Sequence, residues 1–418
     1  MYRRDFMGAV MRGLLAGGLA GGLSGLLPGR AARADASSGH RFVFVVNQGG
    51  WDPLCVLAPS FGNPQIEMPI LSTATTIGGL PLVDSELRPA VRAFFERHAQ
   101  RCLVLHGLDT KSVAHEVCQV TMMTGQATGD RPDAATLLAR DASETLPHLV
   151  LGGPVYAGAL GSRVARAGQN GQLQALVDGS ILATLDSPPT PLTRPSRDLV
   201  DDFVLRRTAA WSQAAGLANG RADLQTSQER ARDLKGLRGE VSLATDGSFG
   251  AQLEVALGAL RLGLARCITV SPPVSWDTHT DSDNQQSPLW DGLFQGLDRF
   301  LGALGATRSP SGRTLAEDTT LVVLSEMSRT PRLNADNGRD HWPFTSVLVI
   351  GPRVTGGRAV GGYDLGYRGL GIDPKTGEVD PNRASPTPLQ LGATLLALAD
   401  LDPTLYGPKV EPLLGVLA

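Results

Sequence analysis

The chain has 418 residues, with 38 basic and 41 acidic side chains and a formal net charge of −3. That balance excludes a strongly basic nucleic-acid binder. The length allows one large domain or two ordinary ones with a substantial core.

The first 34 residues read MYRRDFMGAVMRGLLAGGLAGGLSGLLPGRAARA. Arg3 and Arg4 with Phe6 close behind, a Gly/Ala/Leu run, and Ala32-Arg33-Ala34 as a small-x-small cleavage site predict a twin-arginine signal peptide. The chain is therefore expected to meet the twin-arginine translocase, which moves folded proteins, and to work in the periplasm or outside the cell. The stretch from Ala9 to Leu27 is interrupted by Arg12 and rich in glycine. It falls short of the roughly 20 strongly apolar residues of a stable membrane span. Residues 35–418 are expected to form the mature protein.

Arg41 to Asn47 (RFVFVVN) is β-branched and aromatic and ends in Gln48-Gly49-Gly50-Trp51-Asp52. So uniformly apolar a run predicts a strand covered on both faces. Leu87, Val91, Phe94 and Phe95 then recur at helical spacing behind Asp84 and Ser85, two candidate caps. A strand at Cys102 to Leu105 follows. Between about 154 and 248 the alternation weakens. The proline-rich stretch SPPTPLTRP and the charged run from Asp198 to Glu240 predict a helical insertion on one edge of the sheet.

Alternation returns with a helix around Gln252–Leu264, a strand at Cys267–Val270, a helix at Leu289–Leu304 with Ser287-Pro288 as cap and first position, and a strand at Thr320–Leu324. A strand at Ser346–Ile350, a long Gly/Pro-rich loop and a helix from Pro388 capped by Thr387 complete the chain. Strand and helix in turn imply a mostly parallel α/β sheet with helices on both faces. Cys55, Cys102, Cys118 and Cys267 have no metal-type spacing, and buried thiols are expected rather than ligands.

Open parallel sheets bind ligands at the carboxyl ends of their strands, and acidic and imidazole groups gather there. Asp52 follows the first strand, Asp277 and His279 (SWDTHTD) follow the Cys267–Val270 strand, Glu326 ends the Thr320–Leu324 strand, and Asp340 and His341 (GRDHWP) precede the next. In extended backbone residues i and i+2 share a side, so Asp277 and His279 can face one ion. With His341 they make an N/O set suited to zinc, manganese or iron rather than calcium, zinc or manganese foremost.

Trp51-Asp52, SWDTH, SEMSRT, GRDHW with VLVIGPRVTGGRAVGG, and LGATLLALADLDPTLYG, in that order, resemble the bacterial family called domain of unknown function 1501. That family is itself similar to the alkaline phosphatase and sulfatase superfamily. The resemblance implies a three-layer α/β/α sandwich and one or two divalent metal ions acting on a phosphate or sulfate ester, an anionic small molecule or glycan. It assigns Asp52 and Glu326 to one ion and Asp277, His279 and His341, with Asp340 beside it, to the other. Glu326-Met327 stands where the superfamily has Asp-His, and Asp-x-His where it has Asp-x-x-x-His. HEVCQVTMMTGQ resembles the sulfatase helix that carries a modified cysteine, and its alignment puts His115 at the nucleophile position. His115 is thus a candidate nucleophile or base, a ligand, or a packing residue; Ser112 and Thr121 are alternative hydroxyls. Arg329 could clamp an oxyanion, or pair with Glu326 or Asp340. A non-catalytic protein of the same fold, binding an anionic glycan or a partner protein, is the alternative function.

Overall fold

Arg41–Asn47 (β1) buries all seven of its residues. Its side chains alternate between two apolar layers, Val43 and Val45 in one, Phe42, Phe44 and Val46 in the other. The computed structural model describes residues 39–167, 173–174, 177, 194–213, 218–237, 239–243 and 246–417. The expected leader lies outside the described residues.

The further strands are β2 (Ser72–Ile77), β3 (Leu80–Ser85), β4 (Cys102–Asp109), β5 (His148–Val150), β6 (Val164–Arg166), β7 (Cys267–Val270), β8 (Thr319–Ser325), β9 (Ser328–Arg329), β10 (His341–Trp342), β11 (Phe344–Ile350) and β12 (Arg358–Val360). The helices are α1 (Pro89–His98), α2 (His115–Thr124), α3 (Ala134–Leu138), α4 (Arg194–Gln213), α5 (Ala218–Lys235), α6 (Phe249–Arg261), α7 (Ser282–Ala306), α8 (Leu315–Asp318) and α9 (Pro388–Leu398).

Eight strands form one sheet in the order β12-β4-β11-β8-β1-β7-β5-β6. All pairs are parallel except those of β11, which runs antiparallel to β4 and β8. Val91, Phe94 and Phe95 of α1, Leu253 and Leu260 of α6, and Trp290, Phe294 and Leu297 of α7 cover the face of Val43 and Val45. Met122 and Met123 of α2, Leu137 and Leu138 of α3, and Leu391 and Leu395 of α9 cover the other. The result is the α/β/α sandwich anticipated from the alternation of elements.

Several boundaries differ from the sequence reading. Ser287-Pro288 does not open α7, which begins at Ser282 with Pro288 inside it. Ser287 Oγ donates to the Asp283 carbonyl at 2.7 Å, and buried Gln286 ties the first turn to neighbouring loops. The Ser287 bond lies within the helix, and the ties of Gln286 to the Asp52 amide and the Trp276 carbonyl hold the turn ahead of the proline. The β2–β3 hairpin escaped notice because its Ser/Thr-rich first strand carries little apolar signal. The segment from 154 begins with the edge strand β6, and the helices α4 and α5 follow it. Thr387 does cap α9, in a capping box with Gln390. All four cysteines are free and buried. Among the described residues no helix is long and apolar enough to cross a membrane.

Candidate metal centre

β1, β4, β7 and β8 end, and β11 begins, at one edge of the sheet, and the loops there carry the polar groups. The β4–α2 loop is pinned by Thr110 Oγ1 donating to the Pro343 carbonyl at 2.9 Å and by Cys118 Sγ donating to the Ser112 carbonyl at 3.0 Å. It delivers His115 as the first residue of α2. The short β9–β10 ladder pairs His341 with Arg329 and so sets His341 in front of β11. Two glycines permit the close approach of the remaining loops. A Cβ on Gly49, whose φ is +111°, would meet the Asp277 amide nitrogen at 2.7 Å, and one on Gly338 would meet the His279 carbonyl oxygen at 1.8 Å.

These loops bring His115, Asp277, His279 and His341 together. Asp277 Oδ1 lies 3.0 Å from His279 Nε2, 3.2 Å from His341 Nε2 and 3.4 Å from His115 Nε2. The Nε2 atoms of His279 and His341 are 2.9 Å apart. Each imidazole spends its other nitrogen on an acceptor: His341 Nδ1 donates to the Val113 carbonyl at 2.7 Å, His279 Nδ1 to Asp340 Oδ1 at 3.0 Å, and His115 Nδ1 to Glu326 Oε1 at 2.9 Å. A carbonyl or carboxylate can only accept, so all three neutral rings carry their proton on Nδ1 and a lone pair on Nε2. The three Nε2 atoms that carry these lone pairs each lie within 3.4 Å of Asp277 Oδ1. Tetrahedral zinc with bonds of about 2.0–2.1 Å sets its donor atoms about 3.3 Å apart, close to the three distances from Asp277 Oδ1. The ligand atoms of His115, Asp277 and His341 all lie within 4.8 Å of one another, a set that does not include His279.

The surrounding charges fix this geometry. Burial alone would raise the Asp277 carboxyl, but the hydrogen bond and charge of Arg329, followed by His341, bring it down to about 2. Its hydrogen bond with Glu326 raises the His115 imidazole, and that with His279 lowers the Asp340 carboxyl. Trp51, Trp276 and Trp290 are fully buried and in mutual contact, with Trp51 stacked on Trp290 at 4.8 Å.

Three residues expected at an ion, Asp52, Glu326 and Asp340, and Arg329, expected at an oxyanion, have other partners. Asp52, assigned by resemblance to an ion shared with Glu326, is fully buried and pairs with Arg339 Nε at 3.1 Å, while its Oδ1 accepts from the Leu54 amide. Glu326 also accepts from the Gly49 amide at 2.8 Å and from Ser325 Oγ at 3.1 Å. It orients His115, and among the described residues neither it nor Asp52 belongs to the cluster of possible ligands. Asp340 similarly orients His279. Arg329 is fully buried; it donates to the carbonyls of Gly49, Gly50 and Arg339 and at 2.7 Å to Asp277 Oδ1. It pairs with neither Glu326 nor Asp340 and cannot clamp an oxyanion, because its donors face inward.

Asn334 and Gln286 went unnoticed in the sequence. Asn334 Nδ2 donates to the His279 carbonyl at 3.0 Å, and its Oδ1 accepts from the Gly338 amide at 2.9 Å. Gln286 Oε1 accepts from the Asp52 amide, and its Nε2 donates to the Trp276 carbonyl at 3.0 Å. Both act through the backbone, and only the turn-rich composition around Asn334 hinted at either. Ser112 Oγ accepts from the Ala114 amide. Thr121 is buried, and burial pushes the Cys118 thiol up.

Residues 208–407 match the family model described as protein of unknown function (DUF1501), the family named from the motifs above. The matched span holds Asp277, His279 and His341 and excludes His115. A comparison with curated proteins gave no match. Among solved structures the chain is similar to a putative sulfatase from Bacteroides thetaiotaomicron at 10% identity and a TM-score of 0.37, over 87% of this chain and 71% of that one. A sulfatase from Pseudoalteromonas sp. is similar at 12% identity and 0.36, over 91% and 72%. The phosphonate monoester hydrolase of Agrobacterium radiobacter is similar at 14% identity and 0.28, over 77% and 70%.

Proposed function

We propose that the chain is an exported metal-dependent hydrolase of phosphate or sulfate esters, with one divalent ion, zinc or manganese, on His115, His279, His341 and Asp277. The convergence of three Nε2 lone pairs on Asp277 Oδ1 supports this reading most directly. An all-acceptor cluster is costly unless a cation or protons occupy it, and mixed imidazole and carboxylate ligands suit those metals. A bound divalent ion would act as a Lewis acid towards an ester oxygen and water.

The chain's own residues supply the rest. Glu326, Asp340 and the Val113 carbonyl fix the tautomer and tilt of the three rings, the usual outer support of a metal-ligating histidine. Arg329 keeps Asp277 ionised. One carboxylate ligand leaves a dication in net excess of positive charge. Ala114 gives the N-terminus of α2 no side-chain cap, so its first-turn amides are available to an anion as well.

Metal analysis and turnover test the proposal together. Wild-type protein is expected to hold about one ion per chain and to hydrolyse an aryl phosphate or aryl sulfate slowly. His279→Ala should lose both metal and turnover, whereas His98→Ala should keep them, because His98 pairs with Asp298 outside the centre. Metal content equal in the three proteins would remove the site. A fully loaded protein that cleaves neither ester yet binds phosphorylated or sulfated glycans is the binding protein instead.

Export rests on Arg3-Arg4 before a weakly apolar run. Changing both to lysine should leave unprocessed protein in the cytoplasm. Normal processing in cells without the twin-arginine translocase would refute that assignment.

A further inference from the structure

Gln48, Gln119 and Tyr156 form a hydrogen-bonded chain beside the centre that the metal chemistry leaves unused. Gln119 stands one turn after His115 on α2 and so shares its face. Gln48 directly precedes Gly49, and its carbonyl accepts from the Trp276 amide at 3.0 Å, next to Asp277.

The direction of the chain follows from its buried end. Ser271 Oγ donates to the Val46 carbonyl at 2.7 Å, so it accepts from Gln48 Nε2 at 3.1 Å. That turns Gln48 Oε1 towards Gln119 Nε2, and Gln119 Oε1 towards the Tyr156 hydroxyl, each at 3.1 Å. Tyr156 is held by its backbone, whose amide donates to Asp133 Oδ2 at 2.8 Å and whose carbonyl accepts from the Asp133 amide at 2.7 Å. All three side chains are half-buried.

After these bonds each glutamine Nε2 retains one N–H, and the Tyr156 oxygen retains capacity to accept. Donors and acceptors alternate along the shelf. Neighbouring hydroxyls, which both give and take a hydrogen bond, match that alternation better than an aryl ring or an alkyl chain. We infer that Gln48, Gln119 and Tyr156 form a subsite for a polyhydroxylated alcohol moiety of the ester, a sugar or polyol. The inference rests on the ester-binding reading of the metal centre and narrows its substrate class.

Binding of glucose 6-phosphate and galactose 6-sulfate to metal-loaded protein, against 4-nitrophenyl phosphate and sulfate, tests it by calorimetry. Wild type should prefer the sugar esters. Gln119→Leu and Tyr156→Phe should each weaken sugar-ester binding about three- to tenfold, the worth of one hydrogen bond, and leave the aryl esters unchanged. Equal weakening of both classes, no weakening of either, or a wild type without preference would overturn the subsite. Failure to hydrolyse any ester would sink the hydrolase reading alone, since the binding difference does not depend on turnover.

Discussion

Asp277→Asn is expected to empty the metal centre and reduce aryl-ester hydrolysis by at least about a hundredfold. Its Oδ1 is the atom on which all three Nε2 groups converge, and it is the centre's only anionic donor. Loss of merely an outer partner of a metal ligand already costs about 10–100-fold in affinity or activity, and asparagine removes a ligand charge while keeping the volume. The variant also leaves the buried guanidinium of Arg329 without its carboxylate. Breaking a fully buried pair costs about 3–5 kcal/mol. The Asp277 side chain is 37% exposed, so solvent screens part of the interaction and about 1–2 kcal/mol is expected in metal-free protein. Metal analysis after dialysis and denaturant unfolding with chelator present measure the two effects separately. An asparagine variant with its full complement of metal would mean that Asp277 is no ligand.

Arg339→Met should be the more destabilising change, by about 3–5 kcal/mol. Arg339 and Asp52 both have side chains at 0% exposure. Burial pushes the Asp52 carboxyl up, and the charge of Arg339 opposes that shift. The methionine variant strands this acid in the core and takes donors from the Thr330 and Glu67 carbonyls, which Arg339 Nη1 and Nη2 serve at 2.9 and 2.5 Å. Adding Asp52→Asn should restore part of the loss, the non-additivity expected of contacting residues. Denaturant midpoints of the two single variants and the double variant give the coupling. Metal bound per folded chain should stay near wild type in all three. A stable Asp52→Asn protein without metal would instead restore Asp52 to the ligand set.

The elements legible in the sequence were those whose burial is uniform. RFVFVVN and TTLVVLS become central strands because helices cover both their faces. Elements held by tertiary contacts were hidden, as in the first turn of α7 and the Ser/Thr-rich β2. At the centre, Asp277, His279 and His341 could be grouped because strand ends collect ligands and an i, i+2 pair shares a side. His115 was singled out only through the resemblance of its helix, and as a candidate nucleophile before a ligand. The partners of Asp52 and Arg329 are not legible in the sequence for one reason. Sequence position shows that a charge lies at a strand end, but its direction depends on partners such as Arg339 and the Gly49 carbonyl, distant in sequence or buried on folding.

The place of β1 in the middle of the sheet bears on how the chain is made. Its two neighbours, β7 and β8, begin about 220 and 270 residues after Asn47. At roughly 5–20 residues per second of synthesis, this fully buried strand waits ~10–50 s on the ribosome without either edge partner. A segment of high β-propensity with free edges is an aggregation hazard for that interval. Long-range pairing of this kind also slows folding. The four groups of the centre are dispersed from His115 to His341 and cannot meet before β11 is added. On the proposed function, an ion could be taken up only late in the life of the chain, after translation has passed His341.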